Sequence, residues 1–450
     1  MGKNLYTYDK NGRLLFTKQM KKDYTILMPM MLPIHFSLMQ KILIRHGYRV
    51  ELLTTTHSDI VNEGLQSVHN DTCYPALLVI GQLIDAIKSG KYDPDKIALF
   101  ISQTGGGCRA SNYIFLLRRA LKRRGLGHIP VISFSIANLE KNPGFKLTIS
   151  MMMQFVNAVL YGDMLMLLSN QTRPYELYKG ETDALVEKWA SYLSENTSFW
   201  NFNSASFISR NLRKMAREFA AIPVTSEKYV KVGIVGEIYV KYAPLGNNNL
   251  EEFLQSEGVE VMVPGLLDFV LYMTDNPVTD RKLYGFHSGR AFVSQRLKSY
   301  LLKKQHLLIS AVRTQPKFVA LSSFPHLKKL VRGYLSPGVK MGEGWLLTAE
   351  MLELIDSGVE NIICTQPFGC LPNHIVGKGM IRSIKDRHPN ANIVAIDYDP
   401  GATRINQENR IKLMLANAVR NLQNKPAADL TDTIKQKGAL KHSLAPAKNK

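Results

Sequence analysis

Four cysteines in 450 residues, with no Cys-x-x-Cys pair among them, exclude a disulfide scaffold, a zinc knuckle and a thioredoxin-like redox pair. No stretch approaches the roughly twenty uncharged apolar residues of a membrane span. Met1 to Lys22 is too polar and charged for a signal peptide, so a cytoplasmic protein without a membrane partner is expected. The Gly-x-x-x-x-Gly-Lys-[Ser/Thr] phosphate loop is also missing. Acidic residues are scarce, 37 against 57 Lys and Arg, for a formal charge of +20. The excess is spread over helix faces such as Arg118, Arg119, Lys122, Arg123 and Arg124, and over the polar tail from Asn424. No zinc finger, ribonucleoprotein motif or basic stripe interleaved with aromatics accompanies it, which argues against a nucleic-acid partner.

What remains is the composition of an ordinary globular protein, 45% hydrophobic and 21% charged, long enough for two or three cores. After a polar lead-in over residues 1–22, Tyr24–Met28 reads as a strand, Ile34–His46 as a helix closed by Gly47, and Tyr48–Leu53 as the next strand. Short strand–helix–strand units of this kind signal a parallel sheet. A helix from Pro75 to about Ser89, a strand at Ile97–Ser102, a helix at Asn112–Arg124 and a strand at Ile129–Phe134 complete an α/β domain over 23–139. Residues 140–228 read as helices (145–171, 181–195 and 204–220) with no clear strand. A second α/β domain spans 229–422, with strands at Lys231–Val235, Val259–Val263, Glu360–Cys364 and Asn392–Ile396. A basic, flexible tail over 423–450 follows. The fold class is therefore α/β: two parallel-sheet domains with an intervening helical segment.

The most informative stretch is Gln103-Thr-Gly-Gly-Gly-Cys-Arg-Ala-Ser-Asn-Tyr113, a glycine run between an apolar strand and a helix. Free N–H groups and the positive end of the helix dipole converge there and suit an anion or a thiolate. Cys73 opens a helix, Cys364 ends a strand and Cys370 lies in the loop that follows it. Loops at the carboxyl ends of parallel strands are where such sheets bind ligands, so all four cysteines are candidates to converge in one interdomain cleft. Buried packing is the alternative for each thiol, most of all for Cys364. An iron–sulfur cluster suits four thiols in loops at helix N-termini. Gly105, Gly106 and Gly107 would let backbone N–H groups approach its sulfides, and Thr104 and Ser111 would add hydroxyl donors. A zinc or small-anion site is the non-redox alternative.

Asn70-Asp-Thr-Cys-Tyr-Pro-Ala76, Ser102-Gln-Thr-Gly-Gly-Gly-Cys-Arg-Ala-Ser-Asn112 and Gln366-Pro-Phe-Gly-Cys-Leu-Pro-Asn-His374 resemble the 2-hydroxyacyl-CoA dehydratase family. They are most similar to the carboxyl-terminal part of the long CoA-substrate-specific enzyme activase proteins of anaerobic bacteria. The resemblance covers most of residues 15–420, including Leu15–Lys22 and Asp397-Tyr-Asp-Pro-Gly401. It implies two flavodoxin-like (Rossmann-like) domains around an iron–sulfur cluster, of the 4Fe-4S type, held by Cys73, Cys108 and Cys370. Cys364 departs from the pattern, as a fourth ligand or a packed thiol. It also implies an ASKHA-type ATPase activator, itself an iron–sulfur protein, as a separate partner supplying low-potential electrons. A homodimer or a related dehydratase subunit is a further implied partner. The alternative role is that of the dehydratase subunit itself, eliminating water from a CoA thioester.

Other residues read as structural. His374 is expected on a helix surface, Glu237 and Glu343 as solvated loop glutamates, and Asp397 and Asp399 as caps ahead of the last helix.

Overall fold

Two four-stranded, all-parallel sheets organise the chain, in the orders β2-β1-β3-β4 and β6-β5-β7-β8. The computed structural model describes residues 6–69, 71–103, 107–134, 140–196, 203–286 and 288–424. In the first sheet β1 is Thr25–Pro29, β2 Arg49–Leu53, β3 Ile97–Ser102 and β4 Val131–Phe134. In the second, β5 is Val230–Gly236, β6 Val259–Met262, β7 Asn361–Pro367 and β8 Asn392–Tyr398. The central strands β3 and β5 are buried on both faces, which explains why they read as continuous apolar runs rather than alternating ones.

Helices α1 (Pro33–Arg45), α2 (Asp59–Ser67), α3 (Tyr74–Lys88) and α4 (Tyr113–Arg123) belong to the first half. Helices α5 (Ile149–Thr172), α6 (Glu181–Glu195) and α7 (Ala205–Ala220) form the expected helical segment. The second half adds α8 (Ile238–Tyr242), α9 (Leu250–Ser256), α10 (Leu266–Tyr284), α11 (Ser288–Val312), α12 (Trp345–Asp356), α13 (Ile381–Arg387) and α14 (Arg404–Asn424). Each sheet repeats one plan: the chain winds outward from its second strand in the order, then crosses back to the third. That puts a topological switch point between β1 and β3 and another between β5 and β7.

Four features differ from the sequence reading. The lead-in is not merely polar: Leu14, Phe16 and Met20 are buried, and Arg13 bonds Glu140 at 2.6 Å. The helical layer is not confined to 140–228, because α10 and α11, inserted between β6 and β7, pack on α5 and α7. Ile375 to about Arg387 reads as one helix in the sequence, but it is broken: a π turn at Asn373–Gly377 and a 3₁₀ turn at Lys378–Met380 precede α13. Finally, α5 is long and apolar enough to cross a membrane, a property the sequence reading denied to every stretch. It lies instead in the core against α1, α7, α10 and β6, with Asp163 buried at its middle.

Candidate metal centre

Cys73 is the N-cap residue of α3, Cys108 precedes a 3₁₀ turn that leads into α4, and Cys370 opens the turn after β7. Their loops are tied together by backbone. The Tyr74 N–H donates to the Phe368 carbonyl at 2.9 Å, joining the Cys73 and Cys370 loops. The Arg109 guanidinium donates to the Asp71 carbonyl at 3.0 Å, joining the Cys108 and Cys73 loops. Gly369, at φ +73°, lies so close that an added Cβ would stand 3.0 Å from the Cys73 Cα. A Cβ on Gly107 would fall 2.3 Å from the Met341 sulfur of the second half. Thr104, Gly105 and Gly106 lie outside the described residues.

Each of these three thiols meets N–H groups of its own following turn: Ala76 at Cys73, Ala110 and Arg109 at Cys108, Asn373 at Cys370. Those bonds favour the thiolate, as expected of helix N-termini. Burial nevertheless wins. It pushes Cys73 up to about 11 and raises Cys108 and Cys370 as well. Glu237 adds to the rise at all three, Glu343 at Cys108 and Cys370, and Cys108 at its two neighbours. Two acidic side chains thus lie near the three sulfurs.

Two of the neighbours that matter were set aside as solvated in the sequence. Glu343 sits between Gly342 (φ +58°) and Gly344 (φ +49°), a turn that sends its side chain inward, where it accepts the Ile238 N–H at 2.9 Å. Glu237 accepts the Val240 N–H at 2.9 Å as N-cap of α8. Burial and the charge of Glu343 push Glu237 up to about 8, and burial raises Glu343 too. The third neighbour is Tyr113, whose hydroxyl lies 2.7 Å from Cys73 Sγ. Burial and the Cys73 charge hold its phenol protonated, so Tyr113 is the donor when Cys73 ionises. The signal in the sequence was a tyrosine at the first helical position one turn beyond Cys108.

Cys364 stands apart. The sequence placed it at the end of a strand, but β7 runs on to Pro367, pairing Gln366 with Asp397 and Pro367 with Tyr398. Cys364 is therefore inside the sheet, fully buried, 3.7 Å from Asn373 Oδ1, and raised to about 12 by burial. The charges that act on it, Glu350, Asp397 and Lys378, are a different set from those around the other three. His374 is exposed; Asp397 pairs with Lys378 at 3.2 Å, and Asp399 caps the Gly401 N–H at 2.7 Å.

Among the described residues no three His, Cys, Asp or Glu side chains are grouped to hold a single metal ion. A cubane spreads its ligands over several iron corners, a wider arrangement than one ion requires. The donor set fits such a group. Three loops tied to one another carry the thiols, N–H groups are directed at each sulfur, and the glycines at 107 and 369 allow close approach. Fully buried Gln366, at the end of β7 before the Cys370 loop, also leaves both amide ends without a partner. No family model matches the chain, and no curated protein matches it in sequence.

Proposed function

We propose that the chain is a cytoplasmic iron–sulfur protein of the 2-hydroxyacyl-CoA dehydratase and activase kind. In this reading Cys73, Cys108 and Cys370 hold the cluster, and a separate ASKHA-type ATPase activator delivers low-potential electrons to it. The observation that carries the reading is that the loops bearing these three thiols are bonded together. Burial raises all three thiols, so a bound cationic iron core is what would make them thiolates. When bound, the cluster supplies one-electron chemistry at a potential set by burial and by hydrogen bonds to sulfur. The protein's part is to exclude water and to donate the Tyr113 hydroxyl and the N–H groups of the three following turns.

Anaerobic purification tests this. A brown protein with roughly four irons and four sulfides per chain is expected, bleaching on reduction by the ATPase partner with ATP. Serine at position 73, 108 or 370 should abolish the colour. A colourless, iron-free chain after anaerobic reconstitution sinks the proposal.

The dehydratase reading draws support from one further observation, the raised carboxyl of Glu237 beside the thiols. Protonated near neutral pH, it is suited to hand a proton to a departing hydroxyl group. Turnover of 2-hydroxyacyl-CoA thioesters, lost in Glu237→Gln with iron content unchanged, would separate this role from electron transfer alone.

A further inference from the structure

A second crevice is lined by residues outside the thiol group. Its cavity, about 410 Å³, is walled by the start of α1, by α5 and α6, and by the segment from Tyr242 to Gln255. That volume is in the range of small-molecule pockets.

The lining is acidic in a chain that is strongly basic overall. Asp183, Glu251 and Glu252 face a single guanidinium, Arg173, which is already held by Asp183 at 2.7 Å and Asn170 at 3.3 Å. Glu251 accepts the Asn170 amide at 3.1 Å, and burial raises its carboxyl. An independent observation comes from the opposite wall. His35 is 1% exposed and its Nε2 lies 2.9 Å from Asp163 Oδ1, while its Nδ1 is buried without a partner. With Nε2 committed to the carboxylate, Nδ1 is the ring's remaining hydrogen-bonding atom. His35 Nδ1 is therefore a buried polar atom left unmet, and Glu251 and Glu252 line the same cavity with carboxylates. Leu32, Met166 and Val186 supply apolar surface between them.

We propose that this cavity binds a small organic amine, its ammonium group held by Glu251 and Glu252, a second N–H or O–H serving His35, and its carbon skeleton on Leu32, Met166 and Val186. The site is independent of the cluster.

Calorimetric titration of the full chain in phosphate buffer tests it, with tyramine and 1,4-diaminobutane as probes and 4-hydroxyphenylacetate as the anionic control. Saturable one-to-one binding of at least one amine is expected, with none of the acid. Glu251→Gln and Glu252→Gln should each weaken it by about tenfold or more, as for hydrogen bonds to charged groups. Glu252 is exposed, so its variant folds and reads the site even if the Glu251 variant does not. Absence of saturable amine binding, equal binding of the acid, or an unchanged affinity in Glu252→Gln overturns the proposal.

Discussion

Burial pushes the Glu237 carboxyl up to about 8 from an ordinary value of 4.5, and this gap makes stability depend on pH. Below pH 4.5 the folded and unfolded chains both hold the proton, and the contribution is fully present. Between 4.5 and 8 only the folded chain keeps it, so stability falls by about 1.4 kcal/mol per pH unit for this group, and above 8 the loss is complete. Asp268 and Glu353, also raised by burial, add slope of the same sign. Glu237→Gln should remove one proton's worth of that slope in denaturant melts from pH 5 to 8 and gain stability at pH 8; an unchanged slope would refute the assignment. Glu343 and Glu237 were hidden in the sequence because a loop glutamate is solvated by default, and only the folded turn at Gly342 and Gly344 turns one inward. The thiols were more legible, since loops rich in Gly, Pro and Asn offer a cysteine little to pack against. Reactivity follows the same geometry. In metal-free protein, iodoacetamide should label the partly exposed Cys108 first and the fully buried Cys364 only after unfolding, as followed by peptide mass spectrometry.

Elements set by their own residues were legible: β3 and α6 lie where the apolar pattern puts them. Those that depend on a distant partner were not. Thr365-Gln-Pro367 looks like a turn on its own residues, and only pairing with β8 carries β7 through it, which is why Cys364 was misplaced at a strand end. Helix α2 was missed because Asp59–Ser67 is polar and short, yet it is held against α3 by close glycine contacts, with an added Cβ at Gly81 only 2.1 Å from the Ile60 carbonyl oxygen. A similar approach governs α5. A Cβ at Gly162 would stand 2.4 Å from the His35 ring, which lies on the helix backbone there. Gly162→Ala should therefore cost about 1–3 kcal/mol by overpacking. Gly289→Ala, exposed in the first turn of α11 with nothing within 4 Å, should instead be neutral or stabilising by about 0.5–1 kcal/mol. Equal effects of the two substitutions on the urea midpoint would count against this packing account.

At the scale of the whole molecule, the two sheets must be held in register for loops from both halves to meet at the thiols, and Asp163 does much of the holding. From the middle of α5 it accepts the Leu266 and Leu267 N–H groups at 2.8 Å each, capping α10 of the second half. Its Oδ1 also meets His35 Nε2 on α1 of the first half at 2.9 Å. One carboxylate thus satisfies three buried donors from two halves, a role invisible in a sequence where Asp163 interrupts an apolar run without a cap pattern around it. Removing it strands two helix N–H groups and an imidazole out of water, at about 1–3 kcal/mol for each unsatisfied group. Asp163→Ala should accordingly lower unfolding stability by about 3 kcal/mol or more. Asp386→Ala, an exposed aspartate on α13, should change it by no more than about 0.5 kcal/mol. Because the same carboxylate joins both halves, Asp163→Ala should also loosen the thiol cleft and speed alkylation of Cys73 and Cys370 below the melting transition. A variant that loses stability but leaves those two thiols as slow as before would show that Asp163 caps its helix without coupling the halves.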